Sequence, residues 1–407
     1  MMEVPVKVRT WWSRGASAAL AAVALLSDGC SSSSGSGTAP TADAGDASQL
    51  DAQTKDSSVA MDSGAAEAEA GAVDAGPDTS FLASDAGPVS ITTPPAKGAY
   101  LGAFVDVIDP APDAGTDQAS EARFVAAEVE IGRKWAIDNR FYNDSTEFVN
   151  DRTQWDIDNH IVPLITWMPY GNGNPMVEYI EGQHDALVQA EAQKAKALGV
   201  PIFMRWGHEM NGNWYPWSGS DNGEAGDGDD GGAGAGDAGP VIPSSGPAKY
   251  VAAWRHVHDI FVQEGASNVI WVWTPNVSDV PQIPWNHWTE YYPGDAYVDW
   301  VGIDVYNWGT SSSCCIWTTF AALMTGSPYQ DYSSSKPIIL PEMASTEVGG
   351  SKSMWIDAMR QNLETEFQDV HAIVWFDINK ETDWQIDSSP SSLAAFQALA
   401  QDPYFNP

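Results

Sequence analysis

Positive charge is scarce in this 407-residue chain: 19 Lys and Arg stand against 55 Asp and Glu, for a formal net charge of −36. Nucleic acid is bound largely by Lys and Arg that displace counterions from phosphates, so the composition argues against a nucleic-acid partner. The acidic excess names no other partner, because solvated linkers carry it too. Cysteine is scarcer still. Three residues leave no room for a disulfide framework. Cys314 and Cys315 are adjacent and read as small buried hydrophobes rather than as a strained ring. The chain also lacks a Gly-rich dinucleotide fingerprint and a G-x-S-x-G nucleophile elbow.

What is abundant is tryptophan, at 19 residues. Many of these must pack a core, since the chain is 43% hydrophobic and long enough for one large domain or two. Surplus Trp also supplies flat faces that match the apolar C–H face of a sugar ring.

The N-terminus reads as an export segment. Lys7, Arg9 and Arg14 precede an apolar run, Ala16–Leu26, too short to span a bilayer as a mature helix. "SDGC" then ends at Cys30. This resembles a bacterial lipoprotein signal with Cys30 as the lipidated residue, although Asp28 departs from the usual small or apolar residue. Residues 1–30 are thus the expected signal, and the protein is expected outside the cytoplasm, secreted or held by a lipid anchor as its one membrane contact. Residues 31–97 are rich in Ser, Gly, Ala, Asp, Thr and Pro without sustained periodicity, and read as a disordered acidic linker.

From Gly98 onward apolar runs alternate with amphipathic stretches. Strands are expected at 99–106, 134–142, 161–169, 200–210, 268–276, 298–307, 336–345 and 372–380. The runs are continuous rather than alternating, as in strands covered on both faces. Roughly 310 residues and about eight strand–helix units predict an α/β fold of the (β/α)8 TIM-barrel type over 98–407. A doubly wound sheet is the rival, disfavoured by the missing fingerprint. Residues 218–247 share the linker's composition and read as a disordered loop at the barrel mouth. A calcium site there lacks the EF-hand spacing.

In such a barrel, chemistry sits at the C-terminal ends of strands. Reading what ends each apolar run gives His208 and Glu209, Glu342, Tyr306, Trp167, and Trp375. A lone strand-end glutamate is usually half of an ion pair. Two of them, with rings around one mouth, suit glycosidic bond cleavage, which needs one acid to protonate the leaving oxygen and a second carboxylate to attack the anomeric carbon or to activate water for that attack. A zinc-protease reading of "HEMNG" fails because residue 212 is Gly where the second His belongs.

"RWGHEMNGNWYPW" (205–217), "YYPGDAYVDWVGIDVYNWG" (291–309) and "KPIILPEMAS" (336–345) together resemble glycoside hydrolase family 26. The resemblance covers essentially all of 98–407. It implies a retaining hydrolase with Glu209, on the fourth strand, as acid/base and Glu342, on the seventh, as nucleophile. It further implies sugar binding by His208, a hydrogen bond from Tyr306 to the nucleophile, sugar platforms at Trp214 and Trp375, and stabilisation of the carboxylates by Arg205. Tyr215 and Trp217 are left as loop packing. The expected carboxyl separation is ~5–5.5 Å. One departure is Pro341, directly before Glu342, which restricts that backbone. The expected substrate is β-1,4-mannan, with mixed-linkage β-1,3-1,4-glucan as the alternative and a non-catalytic glycan-binding protein as the reading from another class. No cofactor or metal is implied, and a monomer is expected.

Overall fold

The computed structural model describes residues 93–106, 116–223, 240, 242–313 and 315–405. The expected signal with Cys30, nearly all of the expected linker, the centre of the 218–247 insertion and Cys314 lie outside the described residues. Cys315 is half-buried in the loop after β7 rather than part of the core.

Among the described residues nine strands run in chain order: β1 (Tyr100–Val105), β2 (Ile137–Asn143), β3 (Val162–Met168), β4 (Ile202–Trp206), β5 (Val269–Trp273), β6 (Trp300–Gly302), β7 (Val305–Asn307), β8 (Ile338–Ser345) and β9 (Val370–Asp377). Every pairing between them is parallel. β6 and β7 both pair with β8, so they are two halves of one stave, where a single strand over 298–307 was expected. The pairings β1–β9 and β6–β8 close the ring into eight staves, the expected (β/α)8 barrel.

The layering follows from a side-chain period of two. Tyr100, Ile137, Leu164, Phe203, Val272, Trp300, Ile339 and Val374, one from each stave, belong to an inner cluster distinct from the larger one shared with the helices. Two residues further up, the same inward phase becomes polar. Asn139 follows Ile137, Thr166 follows Leu164, Arg205 follows Phe203 and Thr274 follows Val272, and all four are fully buried. An apolar plug therefore closes the lower barrel, and a polar floor lies beneath the C-terminal mouth.

The outward phase packs on helices. Helix Asp185–Leu198 stops at Gly199, whose φ of +66° suits glycine, and Gly265 ends Gly246–Glu264 the same way. Asn150, Asn174, Ser245, Ser351 and Ser389 each cap a helix N-terminus with a side-chain oxygen. Between β5 and β6 the described chain makes three short 3₁₀ turns instead of a helix.

The β8–β9 ladder shifts register twice, between Ile338 and Ile339 and again between Leu340 and Met343, and the second shift bears on the site. Leu340 lies opposite Ile373 and Met343 opposite Trp375, so three steps on β8 match two on β9. This β-bulge contains Pro341 and Glu342. Proline has no N–H to give to a ladder, and a bulge is one of the few places a sheet accepts it.

Candidate active site

Arg205 is the hub of the polar floor. It is fully buried, and its guanidinium donates to Asp304, to Glu342 Oε1 at 2.5 Å and to Thr166 Oγ1 at 3.2 Å. Burial works against its charge, yet Asp304 and Glu342 beside it hold the guanidinium above its ordinary value. Thr166 in turn donates to Asn139 at 2.7 Å, and Asn139 donates to Pro341 O at 3.1 Å, bracing the bulge.

Glu342 has a second donor, the Tyr306 hydroxyl at 2.8 Å. Burial first, and then the nearby Glu342 charge, push the Tyr306 phenol well up, so it remains a donor. His208 lies with Nε2 3.8 Å from Glu342 Oε1 and 3.2 Å from the Tyr215 hydroxyl. It is fully buried. Burial, reinforced by Arg205, keeps the imidazole well below its ordinary pKa and hence neutral.

Glu209 follows β4 after a sharp change of path. Gly207 has φ +56° and Glu209 itself φ +53°, a conformation unusual for a side chain with a Cβ. The strand expected over 200–210 thus ends at Trp206. Trp214 Nε1 donates to Glu209 Oε2 at 2.8 Å. Burial, joined by the negative Glu342, pushes the Glu209 carboxyl up to about 7. The two carboxylates therefore sense each other across the mouth while standing in different surroundings.

Around them lies an aromatic wall. Phe104 stacks on Phe376 at 4.8 Å, Phe141 meets Phe104 edge-on at 5.0 Å, and Tyr306 meets Phe376 at 5.7 Å. Tyr215 stacks on Trp217 at 4.3 Å, and the buried Trp217 donates to His208 O at 2.6 Å. Both residues pack the loop behind the histidine.

The structure brings Glu209, Glu342, His208, Tyr306, Arg205 and Trp214 together, and it separates Trp167 and Trp375 from them. Trp167 is 1% exposed and packs on Phe148 and Phe261, in the layer between β3 and the outer helices. Trp375 is fully buried between Trp355 and Phe396, with Nε1 bonded to Trp384 O at 2.9 Å. Neither can offer a face to a sugar. The reason is alternation: Thr166 and Val374 take the inward phase, so each following tryptophan points out.

Asp304, Asn139, Thr166 and Trp384 were not anticipated. Asp304 had a signal, a single charge inside the apolar run "WVGIDVY". Trp384, 1% exposed, backs Tyr306 at 5.2 Å and meets half-buried Trp308 edge-on at 4.8 Å. Among the described residues no group of three or more His, Cys, Asp or Glu is placed to hold a metal ion.

Known proteins resemble the chain in sequence and in fold. Residues 143–369 match the sequence profile of Glycosyl hydrolase family 26. Over 283 residues the chain is 37% identical to Endoglucanase H of Acetivibrio thermocellus, a match spanning 69% of this chain and 29% of that protein. Over 110 residues it is 31% identical to Mannan endo-1,4-beta-mannosidase A and B of Caldalkalibacillus mannanilyticus, covering 27% of this chain and 17% of that one. The chain thus spans less than a third of the length of either relative. Among solved structures, a beta-mannanase from Bacteroides ovatus superposes with a TM-score of 0.52 at 15% identity, over 76% of this chain and 90% of that chain, a likeness of fold.

Proposed function

Because the chain belongs to glycosyl hydrolase family 26, we propose that it is a retaining endo-β-glycanase in which Glu342 is the nucleophile and Glu209 the acid/base. The observation that carries this reading is the contrast between the two carboxyls. Glu342 receives hydrogen bonds from Arg205 and Tyr306, whereas Glu209 is pushed up to about 7, where it can hold a proton and later accept one.

In the first step the Glu342 carboxylate attacks the anomeric carbon. The glycosidic C–O bond breaks, and the Glu209 proton goes to the departing oxygen. In the second step Glu209 takes a proton from water, the water oxygen attacks the anomeric carbon, and the Glu342 ester bond breaks. Neutral His208 is fully buried and bonded through Nε2 to the Tyr215 hydroxyl, so it backs the nucleophile rather than meeting the sugar, as the resemblance had implied. Half-buried Trp214 keeps a surface for the ring while its N–H orients Glu209.

Two backbones stay in the reading. Mannan is supported by relatives named as mannan endo-1,4-beta-mannosidases, which match over 110 and 115 residues. The longer similarity to Endoglucanase H, over 283 residues, puts a β-glucan ahead. Keeping both carboxyls in place speaks for an enzyme over a non-catalytic binder. The test is reducing-end release from mixed-linkage β-glucan and from β-mannan, with proton NMR of the first-formed anomer. Glu342→Ala should abolish turnover and keep polymer binding. An active Glu342→Ala protein, or an inverted first anomer, would sink the reading.

A further inference from the structure

Glu209 holds a left-handed backbone that its side chain does not favour, so something must over-determine the turn it sits in. Its own N–H donates to Thr274 O at 2.8 Å, and its carbonyl accepts Gly212 N at 2.9 Å. Of the two residues inside that turn, Met210 and Asn211, the polar one is Asn211, which is fully buried. Its Nδ2 donates to Asn276 O at 3.1 Å and to Asp279 Oδ1 at 2.9 Å, and its Oδ1 accepts Asn276 N at 2.8 Å. Its main-chain oxygen accepts Asn286 Nδ2 and Val280 N, each at 2.8 Å. All five bonds run to one stretch, 276–286, which follows β5.

The near end of that stretch also fixes the other carboxyl. Asn276 bridges to Asp304, Val277 N donates to Asp304 O at 3.1 Å, and Asp304 N donates to Pro275 O at 3.3 Å. Asp304 holds Arg205, and Arg205 holds Glu342. One short segment, 274–279, is therefore tied to the acid's turn on one side and to the nucleophile's guanidinium on the other.

We propose that Asn211 is a positioning residue for proton transfer, setting where the Glu209 carboxyl stands relative to Glu342. This rests on reading Glu209 as the acid/base. Only a carboxamide answers the site. Aspartate has no donor for Asn276 O and would set a second carboxylate against Asp279. An aliphatic side chain would take these partners from the amide and carbonyl of half-buried Asn276.

The test compares Asn211→Ala with Glu209→Ala and wild type. One substrate is the polymer the wild type cleaves. The other is the matching 2,4-dinitrophenyl β-bioside, whose leaving group needs no proton, assayed with and without azide, which needs no base. Glu209→Ala should lose about 10²-fold or more on the polymer, and azide with the aryl substrate should restore turnover. Asn211→Ala should lose about 10-fold or more in kcat on the polymer with KM little changed, and fall within about 3-fold of wild type on the aryl substrate with azide. Its alkaline activity limb should move to lower pH, because a carboxyl freed from burial and from Glu342 returns toward the usual carboxylate range. Should Asn211→Ala fail to fold, Asn211→Ser, which keeps an acceptor for Asn276 N, should show the same pattern more weakly. Equal losses on both substrates with an unmoved limb would overturn the proposal and leave Asn211 merely structural. No selective loss in Glu209→Ala would instead overturn the underlying assignment.

Discussion

Glu209→Gln should make the protein more stable at pH 8 while removing its activity. Burial and Glu342 raise the Glu209 carboxyl from 4.5 to about 7, so the folded state holds this proton more tightly than the unfolded chain does. A raised carboxyl pKa has a definite linkage sign: the folded state is penalised increasingly as pH climbs from 4.5 through 7. The rise from 4.5 to about 7, at about 1.36 kcal/mol per pH unit, sets the ceiling at about 3 kcal/mol by pH 8, against less than about 1 kcal/mol at pH 5. Glutamine is nearly isosteric, keeps an oxygen for Trp214 Nε1, and carries no charge to desolvate. Urea unfolding of wild type and variant at pH 5 and pH 8 reads the difference directly. The variant should gain about 2–3 kcal/mol over wild type at pH 8 and little at pH 5. A gain that is independent of pH, or a loss at pH 8, would refute the claim that Glu209 is a strained, charge-opposed acid.

Two further substitutions separate roles that proximity alone confuses. Tyr306→Phe removes a single donor from Glu342, so kcat should fall roughly 10–100-fold with KM within about 3-fold, measured on the polymer the wild type cleaves. Trp375→Phe should do the reverse: the ring fills the layer between Trp355 and Phe396, so stability should fall by about 1–3 kcal/mol in urea unfolding while KM stays put. A raised KM with unchanged stability would return Trp375 to the sugar site.

Continuous apolar runs made the barrel legible, because eight staves buried on both faces must be written almost without polar residues. The same continuity hid the phase within each run. Trp167 and Trp375 end their strands as plausibly as Tyr306 does, and only pairing reveals that they point outward. Asp304, Thr166 and Asn139 were hard to see for a related reason. Each is a single polar residue inside an apolar run, and what it does depends on a guanidinium that arrives from another stave. Glu209 and Glu342 could be singled out as candidates because the motifs around them are local in sequence, while Asn211 gains its meaning from partners 65 or more residues away.

Both carboxyls stand where the backbone breaks its own rule, and for a common reason. On β8 the inward phase runs through Ile339, so a regular strand would aim residue 341 into the barrel and residue 342 at the helices. The bulge over Pro341 and Glu342 inserts one residue and reverses the phase, which brings Glu342 to Arg205 while Leu340 and Met343 both remain in the outer layer. On β4 the inward phase runs through Phe203 and Arg205, so a continued strand would carry residue 209 upward and away along the stave. The left-handed turns at Gly207 and Glu209 fold the chain back over the mouth. The proline that looked like a departure is thus compatible with the bulge because the ladder asks no N–H of it there. Its removal alone should be tolerated, provided Asn139 still finds the carbonyl it holds at 3.1 Å.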